Sequence, residues 1–213
     1  IADGPAIQAA AERALTAAVT PSACLDLVRA TRARNPGLPI GLLVYANLVE
    51  RRGLDRFYED VAAAGGDSVL VADVPELERA PFAAAAARFG VASVGMIPPN
   101  ATGSVLKAVA SGSVGYVYVV SRSGVTGADA ELRDAARTML ERLRALGAPP
   151  ALLGFGIAEP RHVAAALTMG AAGAISGSAV AERIGRLRGD RAALLAELTT
   201  FVRGMKAATR HLP

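Results

Sequence analysis

The sequence predicts an α/β fold of repeated βα units, namely the last six units of a TIM (β/α)8 barrel with strands 1 and 2 missing. Three observations predict it. Short apolar runs alternate with amphipathic stretches along the chain. Each run is almost continuously apolar, as in strands covered on both faces. The last two runs end in glycine-rich turns, and the loops after strands seven and eight of such barrels commonly hold phosphate.

The predicted strands are Pro39–Tyr45, Ser68–Asp73, Ala92–Pro98, Gly115–Ser121, Ala151–Ile157 and Gly173–Ser178. Between them lie predicted helices at Leu54–Ala64, Pro81–Arg88, Ser104–Ala110, Ala130–Leu146, Pro160–Met169 and Ala179–Leu187. Leu54, Phe57, Tyr58 and Val61 form an i, i+3, i+4, i+7 stripe. Asp55 and Pro160 suit helix starts, and Gly147 and Gly170 suit helix ends. Six strands would also fit a doubly wound sheet, so the glycine-rich turns carry the distinction. Taking the last two strands as barrel strands seven and eight makes the first one strand three. The helix Pro5–Val19 then follows strand two. The whole chain, residues 1–213, is expected to form one domain.

Composition narrows the function. The chain has 52% hydrophobic residues but no uninterrupted apolar block long enough to span a bilayer, and no signal peptide is visible. A single cysteine, Cys24, rules out an intrachain disulfide and a cysteine-cluster metal site, and two histidines leave little for zinc. Cys24 reads as buried helix packing and His162 as a surface residue. The net charge of +4 comes mostly from arginines without interleaved aromatics, which argues against nucleic-acid binding. Arg32, Arg34, Arg51, Arg52 and the Arg183–Arg191 group read as solvated helix faces or ends.

Four features carry possible chemistry. Gly177 and Ser178 join a strand end to a helix start, which offers backbone N–H groups, a positive dipole end and a hydroxyl to an anion. An ordinary serine N-cap is the plainer alternative. Gly154-Phe155-Gly156 on the neighbouring strand end strengthens the phosphate reading. Ser121–Gly127 is rich in glycine and hydroxyls and could act as a lid. Asp3 and Asp73 fall on the C-terminal rim, where catalytic groups project, although each also suits a turn or helix start. Leu43, Leu70, Ala72, Met96 and Phe155 could line a flat aromatic pocket or fill the core. Tyr118 favours the pocket because its hydroxyl needs a partner.

Several segments together resemble the tryptophan synthase α subunit family. They include Ala2–Gln8, Pro39–Asn47, Asp67–Pro75, Pro98–Asn100, Tyr118–Gly127, Gly154–Ile157, Ala171–Ser178 and Met205–Arg210. The resemblance covers essentially the whole chain in order. It implies a cytoplasmic lyase of tryptophan biosynthesis that cleaves indole-3-glycerol phosphate to indole and glyceraldehyde 3-phosphate by retro-aldol chemistry. It further implies an α2β2 complex in which the β subunit carries pyridoxal phosphate, while this chain needs no cofactor and no metal. By the same resemblance Asp3 matches the carboxylate that stabilises the indole nitrogen, and Tyr118 the tyrosine beside the glycerol chain. Gly127, Phe155, Gly156, Gly177 and Ser178 match phosphate-binding positions. Thr126 matches a lid threonine, Leu43, Leu70 and Phe155 the indole pocket, and Asp73, Val74 and Pro75 a loop that meets the β subunit.

The family's acid–base glutamate lies at the end of strand two, shortly before the aspartate. Neither Glu12 nor Glu50 matches its motif. The 213 residues alone are therefore expected not to turn over, and the natural protein is expected to be longer. The alternatives are a phosphate-binding module that regulates the β subunit without turnover, another phosphate-binding barrel, or a stand-alone indole lyase. A Schiff-base aldolase would need a lysine at a strand end, and neither Lys107 nor Lys206 is placed there.

Overall fold

The computed structural model describes residues 3–120, 130–154 and 156–210. Its elements run α1 (Pro5–Thr16), α2 (Pro21–Arg34), β1 (Gly41–Val44), α3 (Ala46–Arg52), α4 (Leu54–Ala64), β2 (Ser68–Val71), a 3-10 turn (Glu76–Glu78), α5 (Ala80–Arg88), β3 (Ala92–Ser93), β4 (Gly95–Ile97), α6 (Gly103–Gly112), β5 (Val117–Val120), α7 (Ala130–Ala145), β6 (Ala151–Gly154), α8 (Pro160–Thr168), β7 (Gly173–Ile175), α9 (Ser178–Leu187) and α10 (Arg191–Ala207). The chain is thus α/β with parallel strands, and its contacts group into two units.

One unit comprises Val19–Tyr118 and Ala145–Pro150. Here β2 lies between β1 and β3, parallel to both, with Leu43 opposite Leu70 and Ser68 opposite Ala92. Val69 packs with Leu25 and Val28 of α2, Phe57, Tyr58 and Val61 of α4, and Phe82 and Ala85 of α5. Leu42, Val44 and Val71 lie against the same cluster. Each fully buried valine or leucine of this kind contributes roughly 1.5–3 kcal/mol. The expected strand Ala92–Pro98 is broken at Val94 into β3 and β4. Gly95 follows the break, where a Cβ would stand 2.7 Å from a methyl carbon of Val109 on α6, too close for any other residue.

The other unit comprises Ile1–Ala18, Val119–Arg144 and Ala151–Pro213. In it β6 and β7 pair in parallel, with Gly154 opposite Ile175. Ile157, Val163 and Leu167 form a small cluster closed by Met205 of α10 and by Ala208 just beyond it. The guanidinium of Arg13 lies against Gly185, so the late turn of α1 meets the late turn of α9.

Helix α4 spans the expected residues, and α1, α5, α6, α7, α8 and α9 depart from expectation only at their ends. α2, α3 and α10 go beyond the predicted set. Thr20 caps α2 by accepting from the Ala23 N–H at 3.2 Å, and Asp190 caps α10 by accepting from the Ala193 N–H at 3.0 Å.

Several single-residue expectations need correction. Cys24 is exposed, because α2 turns Leu25 and Val28 inward and Cys24 lies off that stripe. Arg32 does lie on it, and is not a solvated helix residue. Its guanidinium donates to the carbonyls of Gly65, Pro36 and Leu38 and to Asp67. Asp67 also accepts from the Ile40 N–H at 2.6 Å, which joins α2 to the starts of β1 and β2. Arg52 pairs with Asp60 at 2.6 Å. Arg183 stacks on the Phe201 ring at 4.0 Å while facing Glu197. His162 is buried rather than on the surface. Among the described residues, no helix is long and apolar enough to cross a membrane.

Candidate functional site

The last two strand ends form the clearest site. Past the Gly154–Ile175 pair the strands stop pairing and the chain enters two turns. Gly156 takes a left-handed conformation at φ +73°, which only glycine adopts without strain. A Cβ placed on Gly156 or on Gly177 would meet nothing within 4 Å, so both glycines face open space. Gly177, not Ser178, occupies the N-cap position of α9, which sets aside the plain serine cap. The Gly177 carbonyl accepts from the N–H groups of Val180 at 3.0 Å and Ala181 at 3.1 Å. The earlier N–H groups, of Ser178 and Ala179, lie ahead of the helix's own hydrogen-bond ladder. With the exposed Ser178 hydroxyl they make a helix start suited to an anion.

The two turns are tied together. The Ser176 hydroxyl donates to the Ile157 carbonyl at 2.6 Å. On the far side of the same loop the Ala158 N–H donates to His162 Nδ1 at 3.1 Å. Neither Ser176 nor His162 carried a predicted role. The only sequence signal for them was their place beside the two glycine-rich turns.

Asp3 precedes α1 in the same unit and is half-buried, and its backbone carbonyl accepts from Gln8 Nε2 at 2.7 Å. Thr126, Gly127 and Phe155 lie outside the described residues.

In the other unit Leu43 and Leu70 share one face of the β1–β2 pair, and Tyr118 lies on β5. Leu43 and Leu70 are directly opposite each other, and both point away from the helix-packed side that holds Leu42 and Val69. Leu70 is buried, while Leu43 is 57% exposed. Ser68, two residues before Leu70, hydrogen-bonds the Tyr116 hydroxyl, and Tyr118 shares the Tyr116 side of β5. Val117 and Val119 alternate with the tyrosines and are fully buried. Burial, and then the neighbouring Tyr116, push the Tyr118 phenol above its usual pKa.

Asp73, in the expected partner loop, has a local structural task. Its Oδ1 accepts from the Ala46 N–H at 2.7 Å, where α3 begins. Pro75 is exposed, and Leu77 beyond it is 96% exposed. The loop is anchored by Arg79, which is buried, pairs with Glu76 at 2.8 Å and donates to the Ser93 hydroxyl at 3.0 Å.

A family model described as tryptophan synthase alpha chain matches residues 1–210. The chain belongs to that family. The tryptophan synthase alpha chain of Shewanella amazonensis is 53% identical over 209 residues, spanning 98% of this chain and 79% of the relative. That of Vibrio cholerae is 52% identical over 210 residues, spanning 99% of this chain and 78% of the relative. Among solved structures, a chain of the tryptophan synthase complex from Pyrococcus furiosus aligns with a TM-score of 0.85 at 29% identity, covering 97% of this chain and 81% of that one. Tryptophan synthase subunit alpha from Legionella pneumophila aligns with a TM-score of 0.85 at 25% identity, covering 99% of this chain and 77% of that one. The chain therefore shares the fold of the tryptophan synthase alpha family through both of its units.

Proposed function

We propose that the chain acts as a lyase of tryptophan biosynthesis, cleaving indole-3-glycerol phosphate to indole and glyceraldehyde 3-phosphate. The observation that carries this reading is the joined pair of strand ends, with Gly156, Gly177 and Ser178 facing open space beside a helix start, in a member of this family. That arrangement suits the phosphate without any lysine.

Retro-aldol cleavage breaks the bond between the indole ring and the glycerol chain. The ring carbon must gain a proton, the ring nitrogen carries positive charge meanwhile, and the chain hydroxyl must lose its proton as the aldehyde forms. Asp3 is the carboxylate proposed to stabilise the charged ring nitrogen. Tyr118, half-buried next to the valines of β5, is the hydroxyl proposed beside the glycerol chain. Leu43, Leu70 and Phe155 are proposed for the indole ring, and Thr126 and Gly127 for the lid and phosphate contacts. None of these roles requires a cofactor or metal in this chain.

The finer architecture belongs to the same reading. β1 pairs with β2 on one side only and is half open to solvent, and β7 is likewise the last strand of its pair. A (β/α)8 barrel is the proposed architecture. No glutamate in this sequence matches the family's acid–base motif, and the proposed proton transfers call for one. The partner is a β subunit carrying pyridoxal phosphate, in an α2β2 assembly. The exposed Pro75 and Leu77 support a contact through the Asp73–Pro75 loop.

The test measures indole release and phosphate binding separately, with the β subunit present and absent. Phosphate binding that Gly177→Asp abolishes supports the lyase reading, as does indole release once the acid–base glutamate is supplied. Indole release by the 213 residues alone would overturn the assignment of that glutamate. Binding that never leads to release, even with the glutamate present, would favour a regulatory module.

A further inference from the structure

We propose that Ser176 and His162 are positioning residues that hold the loop after β6 against the start of α9, so that the two turns present their N–H groups to one phosphate. The inference rests on the phosphate reading above and extends it to two residues that do not themselves touch the ligand.

The loop between Gly154 and Pro160 is short, and its Gly156 has left-handed backbone geometry. Glycine gives the loop its turn but also leaves it conformationally free. An anion site needs its donors fixed before the ligand arrives, because ordering them during binding weakens affinity. Two side chains supply that order, one from each flank. Ser176 immediately precedes Gly177 and reaches across to the Ile157 carbonyl at 2.6 Å. Ile157 is itself buried with Val163 and Leu167, so its carbonyl has a fixed position. His162 sits in the first turn of α8 and accepts from the Ala158 N–H at 3.1 Å. This resembles a capping box displaced by one residue, since the Glu159 side chain makes no cap of its own. Because His162 is buried, the bond is shielded from competing water. Adjacent residues Ile157 and Ala158 are thus pinned from opposite sides, one residue beyond Gly156.

The test titrates inorganic phosphate into the full chain and into Ser176→Ala, Ser176→Thr, His162→Leu, His162→Asn and Gly177→Asp variants, with thermal unfolding measured in parallel. Ser176→Thr keeps the hydroxyl, and His162→Asn keeps an acceptor near the Nδ1 position. We expect Ser176→Ala and His162→Leu each to weaken phosphate binding by about five-fold, the loss of one hydrogen bond's worth of order. The Thr and Asn variants are expected to stay within about two-fold of the parent. In the enzyme carrying its acid–base glutamate, the same two losses should raise KM for indole-3-glycerol phosphate more than they lower kcat. Unchanged phosphate affinity in Ser176→Ala and His162→Leu, with binding abolished by Gly177→Asp, would overturn the positioning role alone. Equal losses in the conservative and non-conservative variants would also overturn it, making both residues packing elements. Phosphate affinity indifferent to Gly177→Asp would instead sink the phosphate reading, and this inference with it.

Discussion

The Ser176 hydroxyl donates to the Ile157 carbonyl at 2.6 Å, just beyond the point where β6 and β7 cease to pair. The bond continues the link between the two strands after the backbone ladder has ended. Ser176→Ala leaves that carbonyl without its partner in a buried setting and is expected to cost about 1–2 kcal/mol. The denaturant midpoint of the variant against the parent checks this, and an unchanged midpoint would mean that water replaces the hydroxyl.

Ser178 stands at the first position of α9 with an exposed hydroxyl. Ser178→Ala should weaken inorganic phosphate binding by about ten-fold, the worth of one hydrogen bond to a charged group. Because the hydroxyl caps no helix, thermal stability should stay within about 0.5 kcal/mol of the parent. A large stability loss would assign Ser178 a structural role.

Asp3→Asn, in an enzyme that also carries the family's acid–base glutamate, should lower indole release by about 10²- to 10³-fold. The amide is close in shape but cannot supply negative charge to the ring nitrogen. Phosphate affinity should be nearly unaffected. A matching loss of phosphate binding would show that Asp3 supports the fold instead.

Tyr58 is buried, and burial raises its pKa to about 12 despite the opposing charge of Arg79. In the unfolded chain the phenol ionises near its ordinary value of 10. The unfolded state therefore binds fewer protons between pH 10 and about 12, and stability falls as pH rises through that window. The loss should reach about 2 kcal/mol by pH 12, and Tyr58→Phe should abolish this part of the alkaline destabilisation. Parallel pH–stability curves for parent and variant would refute it.

Arg79 is buried and shared between Glu76 and Ser93. Arg79→Met strands the Glu76 carboxylate in a largely desolvated place and should destabilise the protein by about 3 kcal/mol. Arg79→Met with Glu76→Gln should recover part of that loss, and strict additivity in the double variant would show that the pair is not coupled.

Much of the architecture could be read from sequence because its signals are local. α4 was legible to the residue, since its 3.6-residue stripe is contained in its own segment. The strands were legible as apolar runs. Their ends were less so, because turn residues such as Pro39 and Asp73 flank the apolar runs without joining the ladder. That α6 comes too close to Gly95 to admit a Cβ is a distance that no local pattern encodes. Cys24 and Arg32 were misread for a related reason. Which stripe of α2 faces inward is set by α4 and β2, and neighbouring positions on a helix differ by about 100°.

By itself the sequence determined the alternation of parallel strands and helices, the glycine-rich turns at the last two strand ends, and membership of a family recognisable along nearly the whole chain. These are carried by residue type and spacing within short windows. Only the tertiary structure decided that Gly177 rather than Ser178 takes the N-cap position of α9, that Arg32 reaches Asp67 across 35 residues, and that Ser176 and His162 bond to the loop beside Gly156. Hydrogen-bond partners far apart in sequence meet only when packing has fixed both backbones, so their pairing is a property of the folded chain.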